Sequence, residues 1–265
     1  MTNPASNAID RARLRLLTLA CALLLTLTLA CAPQPSENAD AAADPPAPAD
    51  DHAASSTEAA DHDDDHHDIG ALPLPKRLAF MSGHVEAGLA LYRAGEPEMA
   101  APHLLHPVSE THAAERAGLD AFGFDGALFE AVSQALEAGQ PAETIEPQLA
   151  AAEANLAMVT EKAGGDPKDI ILYLMDTALE EYRIGVPGAT VTDANEYHDA
   201  FGFVVVALQR ATVFEGEAGD RLRAALRDLR ALWPEGAPIP PENPTPSDEI
   251  ERGIAQVRSA VAALG

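Results

Sequence analysis

From residue 76 to the C-terminus, apolar side chains return at intervals of three and four, the period of one face of an α-helix. The pattern predicts helices at about 76–94, 97–116, 125–138, 143–163, 168–185, 194–214, 217–232 and 247–264. Gly95, Gly139 and Gly164-Gly165 fall where helix C-terminal glycines belong. Asp193 followed by Glu196 suits a capping box at the sixth helix. Thr245-Pro246 reads as an N-cap followed by proline in the first turn of the last helix. The tight Gly/Pro turn from Gly185 to Val191 and the other short connections imply antiparallel neighbours. The predicted fold is all-α: an up-and-down bundle of about eight helices in residues 75–265, or two four-helix units in tandem. A Tyr-Arg-x-Gly ending shared by Ala90–Gly95 and Glu180–Gly185 hints at an internal duplication.

Composition agrees with helices. The chain is 47% hydrophobic but only 5% aromatic, and alanine, the best helix former, is abundant. A formal net charge of -25 repels phosphate backbones and excludes nucleic acid as a partner. Both cysteines, Cys21 and Cys31, lie in the first 31 residues, so the helical part has no disulfide, thiolate ligand or cysteine nucleophile.

The N-terminal third has a different character. Arg11, Arg13 and Arg15 precede an uncharged run from Leu16 to Ala30, too short for a membrane span and suited to a signal peptide over residues 1–31. Residues 32–74 contain eleven Asp or Glu, four His and no Lys or Arg, and show no apolar period. Such a segment cannot bury enough surface to offset its chain entropy, and is expected to be a disordered acidic tether. Within it, Asp61–Asp68 carries His62, His66 and His67 among carboxylates, a composition that binds transition metals without a fold or serves only as a spacer.

The candidate chemistry of the folded part is concentrated in residues 82–110. His84 falls on the apolar face of the first predicted helix, with Phe80, Met81, Ala87, Gly88, Leu91 and Tyr92. His103, His106 and Glu110 share one stripe of the second. Facing each other, the two helices present imidazole and carboxylate ligands for a divalent transition metal: iron, copper or zinc. Glu181 and Glu196 are candidate auxiliary ligands at the fifth and sixth helices. The competing roles are a hydrogen-bonded core histidine at His84, a capping box at Glu196 and a solvent-facing position at His198, which is turned away from the stripe of Tyr197, Ala200, Val204, Leu208 and Ala211. His112 falls off its stripe. With no HExxH, no Ser/His/Asp order and no phosphate-cradling glycine loop, the expected function is not enzymatic.

Three resemblances add to this. Leu27-Thr28-Leu29-Ala30-Cys31 resembles a bacterial lipobox, which implies lipidation at Cys31 and, with Ala32 next, an outer-membrane anchor facing the periplasm. The series Tyr182, Gly185-Val186, Gly188 to Val191, Glu196-Tyr197, Asp199-Ala200 and Phe203 is similar to the helical periplasmic domain associated with bacterial iron permeases. The overall plan also resembles imelysin-like proteins, although Gly83-His84-Val85-Glu86 has His-x-Glu where those proteins carry His-x-x-Glu. These resemblances imply an accessory of metal uptake, with a transporter or permease as partner. The alternative is an adaptor lipoprotein whose helices present an interaction surface.

Overall fold

The structure is a computed structural model that describes residues 69–109, 112–234 and 237–265. Cys31, His62, His66, His67 and Glu110 lie outside the described residues. Among the described residues there are helices and no strands. The helices are α1 (Leu74–Arg93), α2 (Pro97–Leu105), α3 (Ala113–Arg116), α4 (Gly126–Glu137), α5 (Ala142–Ala163), α6 (Pro167–Gly185), α7 (Ala194–Arg210), α8 (Gly216–Arg230) and α9 (Ser247–Ala262). No helix among them is long and apolar enough to cross a membrane.

The glycine and aspartate signals act as the sequence implies, but Thr245 does not cap the last helix: α9 begins at Ser247 after Pro246, and Thr245 Oγ1 donates to the Leu232 carbonyl at 2.8 Å. Gly95 takes φ 91° after α1, which lets Glu96 N–H return to the Leu91 carbonyl at 3.0 Å. Asp166 caps α6 by accepting from Lys168 N–H at 2.9 Å, and Asp193 caps α7 by accepting from Asn195 N–H at 3.0 Å. One predicted helix is broken. Instead of a single element over 97–116, α2 stops at Leu105, a 3₁₀ turn spans His106–Val108, and the four-residue α3 follows. Pro107 has no N–H to give the carbonyl four residues earlier, which weakens the ladder where it tightens into the 3₁₀ turn, although Pro102 lies inside α2 without ending it.

Two apolar clusters fill the bundle. Helices α2, α4 and α5 enclose one, including Leu104, Phe129, Leu149 and Val159; α6 to α9 enclose the other, including Leu174, Tyr197, Leu226, Trp233 and Ile254. Helix α1 supplies side chains to both: Leu78, Met81 and Val85 to the first, Ala79 and Phe80 to the second. Residues Leu78 to Val85 are therefore buried without interruption. A helix covered all round carries whatever polar group it holds into the interior, and α1 carries His84.

Candidate metal centre

Close helix approaches bring the polar groups together. On α7, a Cβ at Gly202 would stand 2.0 Å from the Gly83 carbonyl oxygen, and a Cβ at Gly83 would meet the Phe203 ring at 2.2 Å. Only two facing glycines allow α1 and α7 to cross this tightly, and the crossing sets His84 beside Asp199. Farther along α1, Gly88 packs against α2, where an added Cβ would lie 2.8 Å from Leu104. That contact brings His103 to the same point.

His84 Nδ1 and His103 Nδ1 each stand 2.9 Å from one oxygen, Asp199 Oδ1. All three residues are buried. The separations are those of ion pairs, yet Oδ1 accepts no well-directed hydrogen bond from either ring. Two imidazole nitrogens and a carboxylate oxygen converging out of line with each other's N–H suit a shared cation. Ligands around a tetrahedral zinc stand about 3.3 Å apart, so seating an ion needs shifts of a few tenths of an ångström. His103 Nε2 lies 3.0 Å from His198 Nδ1. The remaining ring nitrogens, His84 Nε2 and His198 Nε2, are buried and have no hydrogen-bond partner among the described residues. An unsatisfied buried polar group costs roughly 1–3 kcal/mol.

A second group lies alongside. Glu115 Oε2 is 2.8 Å from His106 Nε2, and Glu115 Oε1 is 3.0 Å from His112 Nδ1. The rings form a pile: His84 stacks on His106 with centroids 3.7 Å apart, and His106 on His112 at 3.6 Å. Arg77 fixes the backbone beneath Glu115 by donating to the carbonyls of Ala114 and Ala117, each at 2.9 Å.

Burial and charge set the protonation of these groups. Burial opposes charge on His84, but Asp199 outweighs it and raises the imidazole above its ordinary range. Asp199 is held far below the usual carboxylate range: the charges of His84 and His103 overcome burial. Burial, reinforced by the charge of His84, takes His106 down to about 3. Burial and His103 take His198 down to about 4. Glu115 falls to about 2 because hydrogen bonds from His106 and His112 overcome its desolvation. Glu181 is driven well above the carboxylate range by burial, by its hydrogen bond with Glu196 and by the charges of Glu196 and Asp199.

The arrangement differs from the expected stripe. His103 and His106 face different carboxylates, Asp199 and Glu115, although His106 keeps αR backbone and its N–H still bonds the Pro102 carbonyl. Glu181 and Glu196 sit together, with Glu181 buried. His198, expected at the surface, is 1% exposed. Residues 197–204 are buried on every side, so α7 has no solvent face there. The unperiodic apolar run Ala200–Leu208 was the signal for that. Asp199 and Glu115 were not among the candidate ligands, and His112 had been set aside. The i,i+3 spacing of His112 and Glu115 was the readable sign of the second group.

Residues 168–264 match the iron permease-associated 4-helix bundle domain. No curated protein and no solved structure matches the chain. The matched span corresponds to α6–α9 and contains the Tyr182–Phe203 stretch on which the sequence resemblance rests. It contributes Glu181, Glu196, His198 and Asp199 to the centre, whereas His84, His103, His106, His112 and Glu115 come from the helices before it.

Proposed function

We propose that the protein is an accessory of iron uptake that holds a divalent transition metal where α1, α2 and α7 meet, with iron as the first candidate and copper and zinc as competitors. His84, His103 and Asp199 are the ligands, and Glu181 and Glu196 lie close by as auxiliary carboxylates. The supporting observation is the convergence of two buried imidazoles on one carboxylate oxygen, beside buried ring nitrogens that no described residue satisfies. Two histidines and one carboxylate form a nitrogen and oxygen donor set that accepts iron, zinc or copper. The match to an iron permease-associated domain favours iron and a permease as partner. The role is holding and delivery without catalysis, from an outer-membrane anchor at Cys31 facing the periplasm, with the acidic tether and its His62, His66 and His67 as collector.

Anaerobic titration with Fe²⁺, repeated with Zn²⁺ and Cu²⁺, tests this on full chain carrying H52A, H62A, H66A and H67A. A fold-specific ion present at a hundred times its Kd adds about 2.7 kcal/mol of stability. Asp199→Asn should abolish that gain while the apoprotein stays folded. Absence of any shift in Tm with all three metals would refute the metal-holding role. For the anchor, Cys31→Ser should move the protein from the membrane fraction to the soluble periplasm; unchanged membrane association would count against lipidation there.

A further inference from the structure

We infer that His106, His112 and Glu115 form a second metal subsite, the outer station through which an ion reaches His84, His103 and Asp199. The inference rests on the metal-holding role proposed above and adds a second ion and a route to it.

Its first support is the set of donors gathered at Glu115. This carboxylate is 5% exposed, and its side-chain contacts among the described residues are the two imidazoles, one on each oxygen. The neighbouring guanidinium groups are engaged elsewhere. Arg77 donates to the backbone carbonyls of Ala114, Glu115 and Ala117, and Arg116 to those of Pro107 and Ser109. An ionised carboxylate held between two imidazoles offers lone pairs on both oxygens, and imidazole with carboxylate is a donor set that takes a divalent transition metal. One nitrogen or oxygen from each of His106, His112 and Glu115 lies within 4.8 Å of the others, as is true of His84, His103 and Asp199. The two groups therefore present the same donor set, two imidazoles and one carboxylate.

The second support is the order of exposure. The side chain of His112 is 26% exposed, those of His106 and His84 are 9%, and that of His103 is 3%. The stacked rings run from the partly exposed His112 to the buried pair His106 and His84. His106 belongs to the outer group yet lies face to face with a ligand of the inner one. An ion held at Glu115 thus has an inner imidazole as its next neighbour. Phe80 and Phe203 flank His84 edge-on, which leaves the stacked face toward His106 as the polar approach.

Co²⁺ is the probe, because its visible absorption reports on each ion's ligands and the protein need not be active. The full chain with H52A, H62A, H66A and H67A should take up two equivalents. His112→Ala and Glu115→Gln should each take up one, retain the inner-site spectrum and load it more slowly in stopped-flow mixing. His84→Ala should lose the inner spectrum and keep the outer. His112 is partly exposed, so its variant keeps the test decisive if Glu115→Gln fails to fold. A single equivalent that His84→Ala abolishes, and that His112→Ala and Glu115→Gln leave intact in amount and rate, overturns the outer station alone. Two equivalents unaffected by His112→Ala and Glu115→Gln also overturn it. No uptake at all refutes the metal-holding role and this inference together.

Discussion

Two sets of buried rings lie in this bundle, and they are finished differently. Around Trp233, the rings of Tyr182, Tyr197 and Phe201 stand with centroids 5.4, 6.2 and 6.0 Å from the indole. Two polar tips there have backbone partners: Trp233 Nε1–H donates to the Tyr197 carbonyl at 3.4 Å, and the Tyr182 hydroxyl to the Thr245 carbonyl at 2.5 Å. In the histidine cluster around Asp199, His84 and His198 each keep a buried nitrogen without such a partner among the described residues, and two rings crowd one oxygen. The first set is tied to the backbone through Trp233 and Tyr182 and holds α6, α7 and the segment after α8 together. The second leaves buried ring nitrogens without a partner among the described residues, and such groups pair with ordered water or an ion.

The largest effect should come from breaking the set around Trp233. Trp233→Ala removes a ring that is 2% exposed, and should cost about 3–5 kcal/mol in chemical unfolding. At a temperature where the variant stays folded, its metal stoichiometry should equal that of wild type; a loss of metal would mean that the two ring sets are not independent.

Gly202→Ala acts on the crossing that assembles the histidine cluster. The added methyl would meet the Gly83 carbonyl, and overpacking of this kind costs about 1–3 kcal/mol. Moving α7 from α1 separates Asp199 from His84, so metal affinity should fall even under conditions where circular dichroism shows a folded protein. Unchanged affinity would mean that the glycine contact does not position the ligands.

The smallest effect concerns Glu181. Its folded-state pKa is raised above that of the unfolded chain, so the folded protein keeps a proton that the unfolded chain loses. The stability this group provides is complete below the unfolded pKa, near 4.5, and declines as pH rises above it. Glu181→Gln keeps a hydrogen-bonding amide without the charge. The metal-free variant should therefore melt above wild type at pH 8, with a smaller difference at pH 5. A difference that does not grow with pH would refute the proton held between Glu181 and Glu196.

The histidine cluster was legible as a region but not as a geometry. Placing His84 on a buried face needed only the helical period, and α1 bears it out. Assigning His103, His106 and Glu110 to one stripe assumed an unbroken helix, and Pro107 ends that assumption by removing a ladder hydrogen bond. His198 was expected at the surface because it lies off the apolar stripe of its helix. That inference holds only for a helix with one solvent face, and α7 has none over residues 197–204.

The chain's own pattern determined the helices, their glycine and aspartate ends, the acidic character, and the gathering of histidines between residues 82 and 110. Those properties follow from neighbours within a turn or two of each other, or from composition alone. That Asp199 joins His84 and His103, and that Glu115 meets His106 as well as its i,i+3 neighbour His112, was decided by the tertiary structure. Asp199 is more than 90 residues from either of its imidazole partners, and nothing in a helical period says which distant helix a buried face will meet. Packing settles that: Gly83 and Gly202 permit a close crossing, and the carboxylate one turn before Gly202 comes to rest against the histidine beside Gly83.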